Sequence, residues 1–161
     1  MRPFLETEFG NPSSGHWYGI GPKKGLMQAR AQVADLLGCK PAEILFTSGG
    51  TESNNQVIKS IAGSRFARGT HIITSGIEHP AILEVCRFME GHGFSVTVLP
   101  VDGEGLVAVS DVAAAIRPDT ILISFMHANN EVGTIQPIVE SAALAREHGI
   151  LMHTDAAQSV G

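Results

Sequence analysis

Between residues 71 and 155, four short apolar runs alternate with three helix-period segments, and this alternation constrains the fold more than any other feature. The runs are His71-Ile72-Ile73-Thr74, Phe94 to Leu99, Thr120 to Phe125 and Gly149-Ile150-Leu151-Met152. The segments between them are Pro80 to Glu90, Val109 to Ile116 and Pro137 to His148. In the first of these, Ile82, Leu83, Val85, Cys86 and Met89 fall at inward positions. Strands separated by helices pair in parallel, and a parallel sheet needs both faces covered. The predicted fold class is therefore α/β, a mostly parallel sheet with helices on both faces. The run at 149–152 reads as a buried strand.

Upstream, Glu43-Ile44-Leu45-Phe46-Thr47 reads as a further strand and Thr51 to Ile61 as a helix. Leu26, Ala29, Val33, Leu36 and Leu37 recur at helical spacing after Pro22, and Gly38 ends that run. Residues 1–20 are rich in Gly, Pro, Ser and aromatics and read as an ordered loop. Met1 looks like part of a helix tail, and nothing around Gly161 caps a domain, so both ends read as cut.

A chain of 161 residues suits one domain with a sizeable core. Its 43% apolar and 17% charged residues are those of a globular protein. The net charge of -5, with no basic run, argues against nucleic acid as a partner. No apolar stretch reaches membrane-spanning length, and the first residues carry no signal-peptide core. Cys39 and Cys86 form no CxxC pair, which argues against a disulfide framework or a cysteine-rich metal site. Both lie in helical patterns and read as core. A reducing, cytoplasmic setting is the simplest expectation.

Four stretches carry chemistry, each at the predicted carboxyl end of a strand. In Thr47-Ser48-Gly49-Gly50-Thr51-Glu52-Ser53-Asn54-Asn55, glycines allow close backbone approach, and the free N–H groups of a helix start make an anion site. The Thr51 hydroxyl adds a donor. The plainer reading makes Thr51 a helix N-cap. The stretch lacks the Gly-Lys-Ser/Thr ending of a P-loop. In Gly76-Ile77-Glu78-His79-Pro80, His79 is pushed toward extended geometry by the following proline. Its ring can stack on an aromatic ligand or move protons near neutral pH, or it is merely a loop histidine. In Met126-His127-Ala128-Asn129-Asn130-Glu131-Val132-Gly133-Thr134, two adjacent amides offer donors and acceptors for a ring hydroxyl or a carboxylate. The alternative there is a simple turn.

The fourth stretch is His153-Thr154-Asp155-Ala156-Ala157-Gln158. Asp155 is placed to hold a cation at a strand end. A protonated pyridine nitrogen about 4 Å away would gain on the order of 4 kcal/mol at an effective dielectric near 20. Gln158 reaches the same ligand if a turn or helix starts at Asp155. The plainer reading is Asp155 as an N-cap. An anion cradle, a ring-stacking group, amides and an acid are together the parts needed to hold a phosphorylated pyridine.

With Gly10-Asn11-Pro12-Ser13-Ser14 and Gln136-Pro137-Ile138 added, these stretches resemble the cysteine desulfurase group, which includes the selenocysteine lyases, of the class V aminotransferase-like enzymes. The resemblance runs in order along nearly the whole chain. It implies part of the large domain of a fold-type I transferase that uses pyridoxal 5'-phosphate. By resemblance, Gly50 and Thr51 match the phosphate-binding turn, and His79 matches the catalytic histidine that stacks on the pyridine ring. Asn130 matches the amide near the phenolic oxygen and the substrate carboxylate, Asp155 the partner of the ring nitrogen, and Gln158 a second amide on the phenolic oxygen. The implied reaction takes sulfur from L-cysteine, gives L-alanine, and leaves a persulfide on a cysteine of the enzyme for an iron–sulfur or other sulfur-acceptor protein. A homodimer is implied as well.

The chain also departs from the group's pattern. Lys23, Lys24, Lys40 and Lys59 match no Ser/His-x-His-Lys stretch, and neither Cys39 nor Cys86 matches the persulfide cysteine. The Schiff-base lysine, the substrate arginine, the small C-terminal domain and the N-terminal segment are expected outside residues 1–161. Such a chain is expected to be inactive alone, marginally stable and prone to aggregate through unpaired sheet edges. The alternatives are a selenocysteine lyase or another class V enzyme, and a non-catalytic truncated form that acts by association.

Overall fold

The computed structural model describes residues 1–64 and 69–160, which form two compact units. The first unit comprises residues 1–46. It contains helix α1 (Arg2–Glu6), a 3-10 turn at Trp17–Gly19, helix α2 (Ile20–Leu37) and a 3-10 turn at Pro41–Glu43. The loop expected over residues 1–20 is thus only part of that stretch, because Arg2–Glu6 is helical and α2 already starts at Ile20. Asn11 Oδ1 accepts from Ser13 N–H at 2.9 Å, and Ser14 N–H donates to Asn11 O at 3.0 Å. Gly10 is required there, because a Cβ at that position would lie 2.0 Å from Tyr18 O. Helix α2 ends where expected, with Gly38 at φ 65°.

Two expectations are corrected in this unit. Residues 44–47 join no ladder among the described residues. A strand exists only through a partner, and here Arg30 takes the Ile44 carbonyl while the Leu45 side chain stays 66% exposed. Cys39 lies past the α2 cap and is half-buried, so it is not core.

The second unit comprises residues 47–160. Helix α3 (Gly50–Ala62) leads into a four-stranded sheet, β1 (His71–Ser75), β2 (Ser95–Leu99), β3 (Thr120–Met126) and β4 (Leu151–Asp155). Helices α4 (Pro80–Glu90), α5 (Val109–Ala115) and α6 (Ile138–Glu147) connect successive strands. The order is β2-β1-β3-β4 and every pairing is parallel, with Ile73 opposite both Thr97 and Ile123, and Ile123 opposite Met152. The chain thus steps outward from β1 to β2, then returns to the other side of β1. A change of direction places successive crossovers on opposite faces when all have one hand.

The two cores confirm this. Ile72 and Leu122 face Ile58 of α3 and Ile82, Val85, Cys86 and Met89 of α4. Their neighbours Ile73 and Ile123, with Phe125, face Val112 of α5 and Ala145 of α6. Adjacent strand residues therefore serve opposite cores, which is why the strands read as continuous apolar runs.

Leu83 is only half-buried, because α4 turns its Ile82 and Val85 side inward. β4 is an edge strand among the described residues, not a buried one. It runs to Asp155, and its Leu151 is 55% exposed.

Candidate functional site

The reversal between β1 and β3 opens a crevice at their carboxyl ends, where ligands collect in open α/β sheets. A cavity of about 280 Å³ lies there. Gly50, Thr51, His79, Asn130, Asp155 and Gln158 all line it, so the structure brings every predicted site residue to one place.

One wall is the start of α3. Ser53 N–H donates to Gly49 O at 3.0 Å, and the N–H groups before it have no intrahelical acceptor. The N-cap is Gly49, not Thr51, whose side chain stays available on the first turn. Glu52 reaches back to Ser48, taking its N–H and its hydroxyl at 2.6 Å each, and these bonds hold the Glu52 carboxyl below its usual range. The turn is therefore braced from outside the cavity. A Cβ on Gly49 or Gly50 would meet nothing within 4 Å, so the space before the helix is open. Open N–H groups at the positive end of a helix, with a hydroxyl beside them, suit a phosphate.

The opposite wall is the end of β4. Asp155 Oδ1 accepts from Ala157 N–H at 3.0 Å, and Oδ2 accepts from Asn54 Nδ2 at 2.7 Å. Ala157 N–H belongs to the turn that carries Gln158 into the cavity. The plainer reading of Asp155 as a cap also holds locally, since Oδ1 takes Ala157 N–H and Val160 N–H closes the following turn on Ala156 O at 3.2 Å. Each carboxylate oxygen keeps a free lone pair for a cation.

His79 is the N-cap of α4, with Nδ1 accepting from Ala81 N–H at 3.1 Å. A nitrogen that accepts carries no proton, so the neutral ring holds its proton on Nε2. The two adjacent amides divide their work. Asn129 is buried and fully engaged, donating to Ile77 O at 3.0 Å and accepting from Glu131 and Val132 N–H at 2.8 and 2.9 Å. Asn130 is exposed on the cavity wall, with no side-chain hydrogen bond among the described residues.

Two contributors carried no signal of their own in the sequence. Asn54 lies one helical turn after Thr51, and this spacing is the hint available in advance. Glu78 sits 5% exposed between β1 and β3, with Oε1 accepting from Ser75 Oγ at 2.6 Å and Met126 N–H at 2.9 Å. Its Oε2 has no partner among the described residues. Burial, and secondarily the nearby Asp155 charge, push its carboxyl up to about 7, against the pull of those two hydrogen bonds. Among the described residues no cluster of His, Cys, Asp and Glu gathers to hold a metal ion, and no helix is long and apolar enough to cross a membrane.

The family model described as aminotransferase class-V matches residues 1–161. The chain is 54% identical over 161 residues to the cysteine desulfurase IscS of Dictyoglomus turgidum, covering all of this chain and 41% of that protein. A solved structure of a NifS-like protein superposes with a TM-score of 0.93 at 40% identity, over 98% of this chain and 44% of the other. A structure described as SspA in complex with cysteine gives the same TM-score at 46% identity, over 98% and 46%. The chain thus spans less than half the length of these relatives.

Proposed function

This chain belongs to the aminotransferase class-V family, and from that premise we propose that it forms part of the cofactor-binding domain of a pyridoxal 5'-phosphate-dependent cysteine desulfurase. The observation that carries the proposal is the pairing of an open helix start with the doubly held Asp155 carboxylate in one cavity. Those two groups suit the two ends of a phosphorylated pyridine.

In this reading the N–H groups at Gly50 and Thr51, with the Thr51 hydroxyl, hold the phosphate. The Asp155 carboxylate keeps the ring nitrogen protonated. When bound, pyridoxal phosphate supplies an electron sink for charge at the substrate α-carbon. His79, fixed by Ala81 N–H, presents a flat ring to the cavity and holds a proton at Nε2 for exchange with substrate. Asn130 and Gln158 offer amides to the phenolic oxygen, and Asn130 also to the substrate carboxylate. Phe125 on one face of the sheet and Ile72 and Leu122 on the other are fully buried, so the strands that carry the crevice are packed on both sides.

The proposed reaction takes sulfur from L-cysteine and yields L-alanine, with the sulfur passed to an acceptor protein that serves iron–sulfur cluster assembly. The relatives named as cysteine desulfurases, and the neighbour described with bound cysteine, favour cysteine over selenocysteine. A cytoplasmic homodimer is part of the same proposal.

The test is spectroscopic and chemical. Protein from the complete reading frame is titrated with pyridoxal phosphate by visible absorbance, then supplied with L-cysteine and a thiol reductant while alanine and sulfide are measured. Saturable uptake with stoichiometric alanine is the expected result. Failure to take up the cofactor, or uptake without alanine, would overturn the reading.

A further inference from the structure

Asn54 belongs to the first turns of α3, yet its side chain serves the far wall of the cavity. It is 3% exposed, and its Nδ2 lies 2.7 Å from Asp155 Oδ2, a residue 101 positions later in the chain. A hydrogen bond to a charged acceptor at this length belongs to the strong class. The other Asp155 oxygen is tied to Ala157 N–H, inside its own turn. With that bond alone the carboxylate plane can still rotate. The amide from α3 removes this freedom, because it fixes the second oxygen from a different element.

Thr51 and Asn54 are three residues apart on one helix, about 4.5 Å along its axis. The turn whose N–H groups face the cavity thus also carries the strut to the acid. We infer that Asn54 is a positioning residue that sets the plane of the Asp155 carboxylate and locks it to the anion-binding turn of α3. This rests on the cofactor reading given above. Asn54 also lines the cavity, and it is assigned no part in phosphate binding.

The experiment uses the holoenzyme from the complete reading frame, loaded with pyridoxal phosphate labelled with 15N in the ring. Asn54→Ala removes the amide. Asn54→Leu removes it while keeping most of the packed volume, and it decides the matter if the alanine variant does not fold. The expected result is a ring-nitrogen 15N titration whose midpoint moves about one pH unit toward acid, with roughly tenfold weaker cofactor binding. Inorganic phosphate should compete for the site within about twofold of its wild-type constant, since the N–H groups are untouched. With Asp155→Ala, the losses should be non-additive.

An unchanged 15N titration in a folded variant overturns the inference. So does equal weakening of phosphate and cofactor, which would mean that Asn54 merely stabilises the helix start. If the wild-type protein binds no cofactor, the cofactor reading itself falls. A wild type that binds normally beside an indifferent Asn54 variant sinks only this assignment.

Discussion

Met126 N–H donates to Glu78 Oε1 at 2.9 Å, and the bond ties the loop after β1 to the carboxyl end of β3. The same oxygen takes the Ser75 hydroxyl, so one carboxyl group joins the carboxyl ends of the two central strands. Burial raises its proton affinity from an ordinary 4.5 to about 7. The folded state therefore holds a proton that the unfolded chain gives up above pH 4.5. The stabilisation is complete below that value and is lost as pH rises toward 7. Its ceiling is roughly 3 kcal/mol, because each tenfold change in proton affinity is worth about 1.4 kcal/mol. Glu78→Gln should remove this loss, and urea melts between pH 5 and 8 measure it. A variant with the same pH slope as wild type would refute the account.

His153 tilts the profile the other way. Its Nδ1 is 2.8 Å from Ser124 Oγ, and burial lowers its proton affinity below the ordinary 6.5 despite the nearby Asp155 charge. Buried His71, held between the hydroxyls of Thr120 and Thr97 at 2.8 Å each, is lowered for the same leading reason. Here the unfolded state binds the proton more readily. Stability is present above pH 6.5 and is lost on acidification through the lowered folded values. The windows overlap, so the wild-type profile should be flatter than that of either variant. His153→Gln should shift the profile toward a gain of stability on acidification from pH 7 to 5, with His71 still opposing Glu78, while Glu78→Gln should leave a protein that loses stability over that range. Both signs are read from the same melts.

Gly10→Ala tests the ordered loop. The added Cβ would stand 2.0 Å from a backbone oxygen, which no side-chain rotation relieves. The loop must shift, at a cost of about 1–3 kcal/mol or more. The Trp17 ring, stacked on Tyr18 at 4.0 Å, reports the movement. Tryptophan emission should change in the native protein, and the melting temperature should fall. Unchanged emission would show that the loop is not built as described.

Much of the fold is legible from local pattern. Pro80 to Glu90 forms α4 at its predicted bounds, because a proline start, a helical apolar period and a following glycine all agree. The continuous runs of β1 and β3 announce a sheet covered on both faces. Residues 44–47 mislead because β propensity says nothing about whether a partner strand is present. The edge position of β4 is equally invisible, since strand order depends on crossovers and not on composition. At the site, residue types that can do chemistry are readable, and residues that only hold others are not. Asn54 and Glu78 work through partners 101 and 48 positions away. Asn129 and Asn130 look alike in sequence, and only the turn closed by Gly133, at φ 79°, separates the engaged amide from the free one.

The two cysteines give a last prediction. Cys86 is packed between α4 and the sheet, and its thiol is pushed up to about 12, first by burial and then by the Glu78 and Glu90 charges. At pH 8 its thiolate fraction is roughly one part in ten thousand, and thiolate is the reactive form. Cys39 lies outside any core cluster and is half-buried. Native protein treated with iodoacetamide should gain one modification, at Cys39, while Cys86 is modified only after denaturation. Peptide mass spectrometry across a time course separates the two sites. Native labelling of Cys86 at a rate near that of Cys39 would show that α4 opens from the sheet. It would also undercut the burial that raises Glu78, since Glu78 and Cys86 are close enough for their charges to interact.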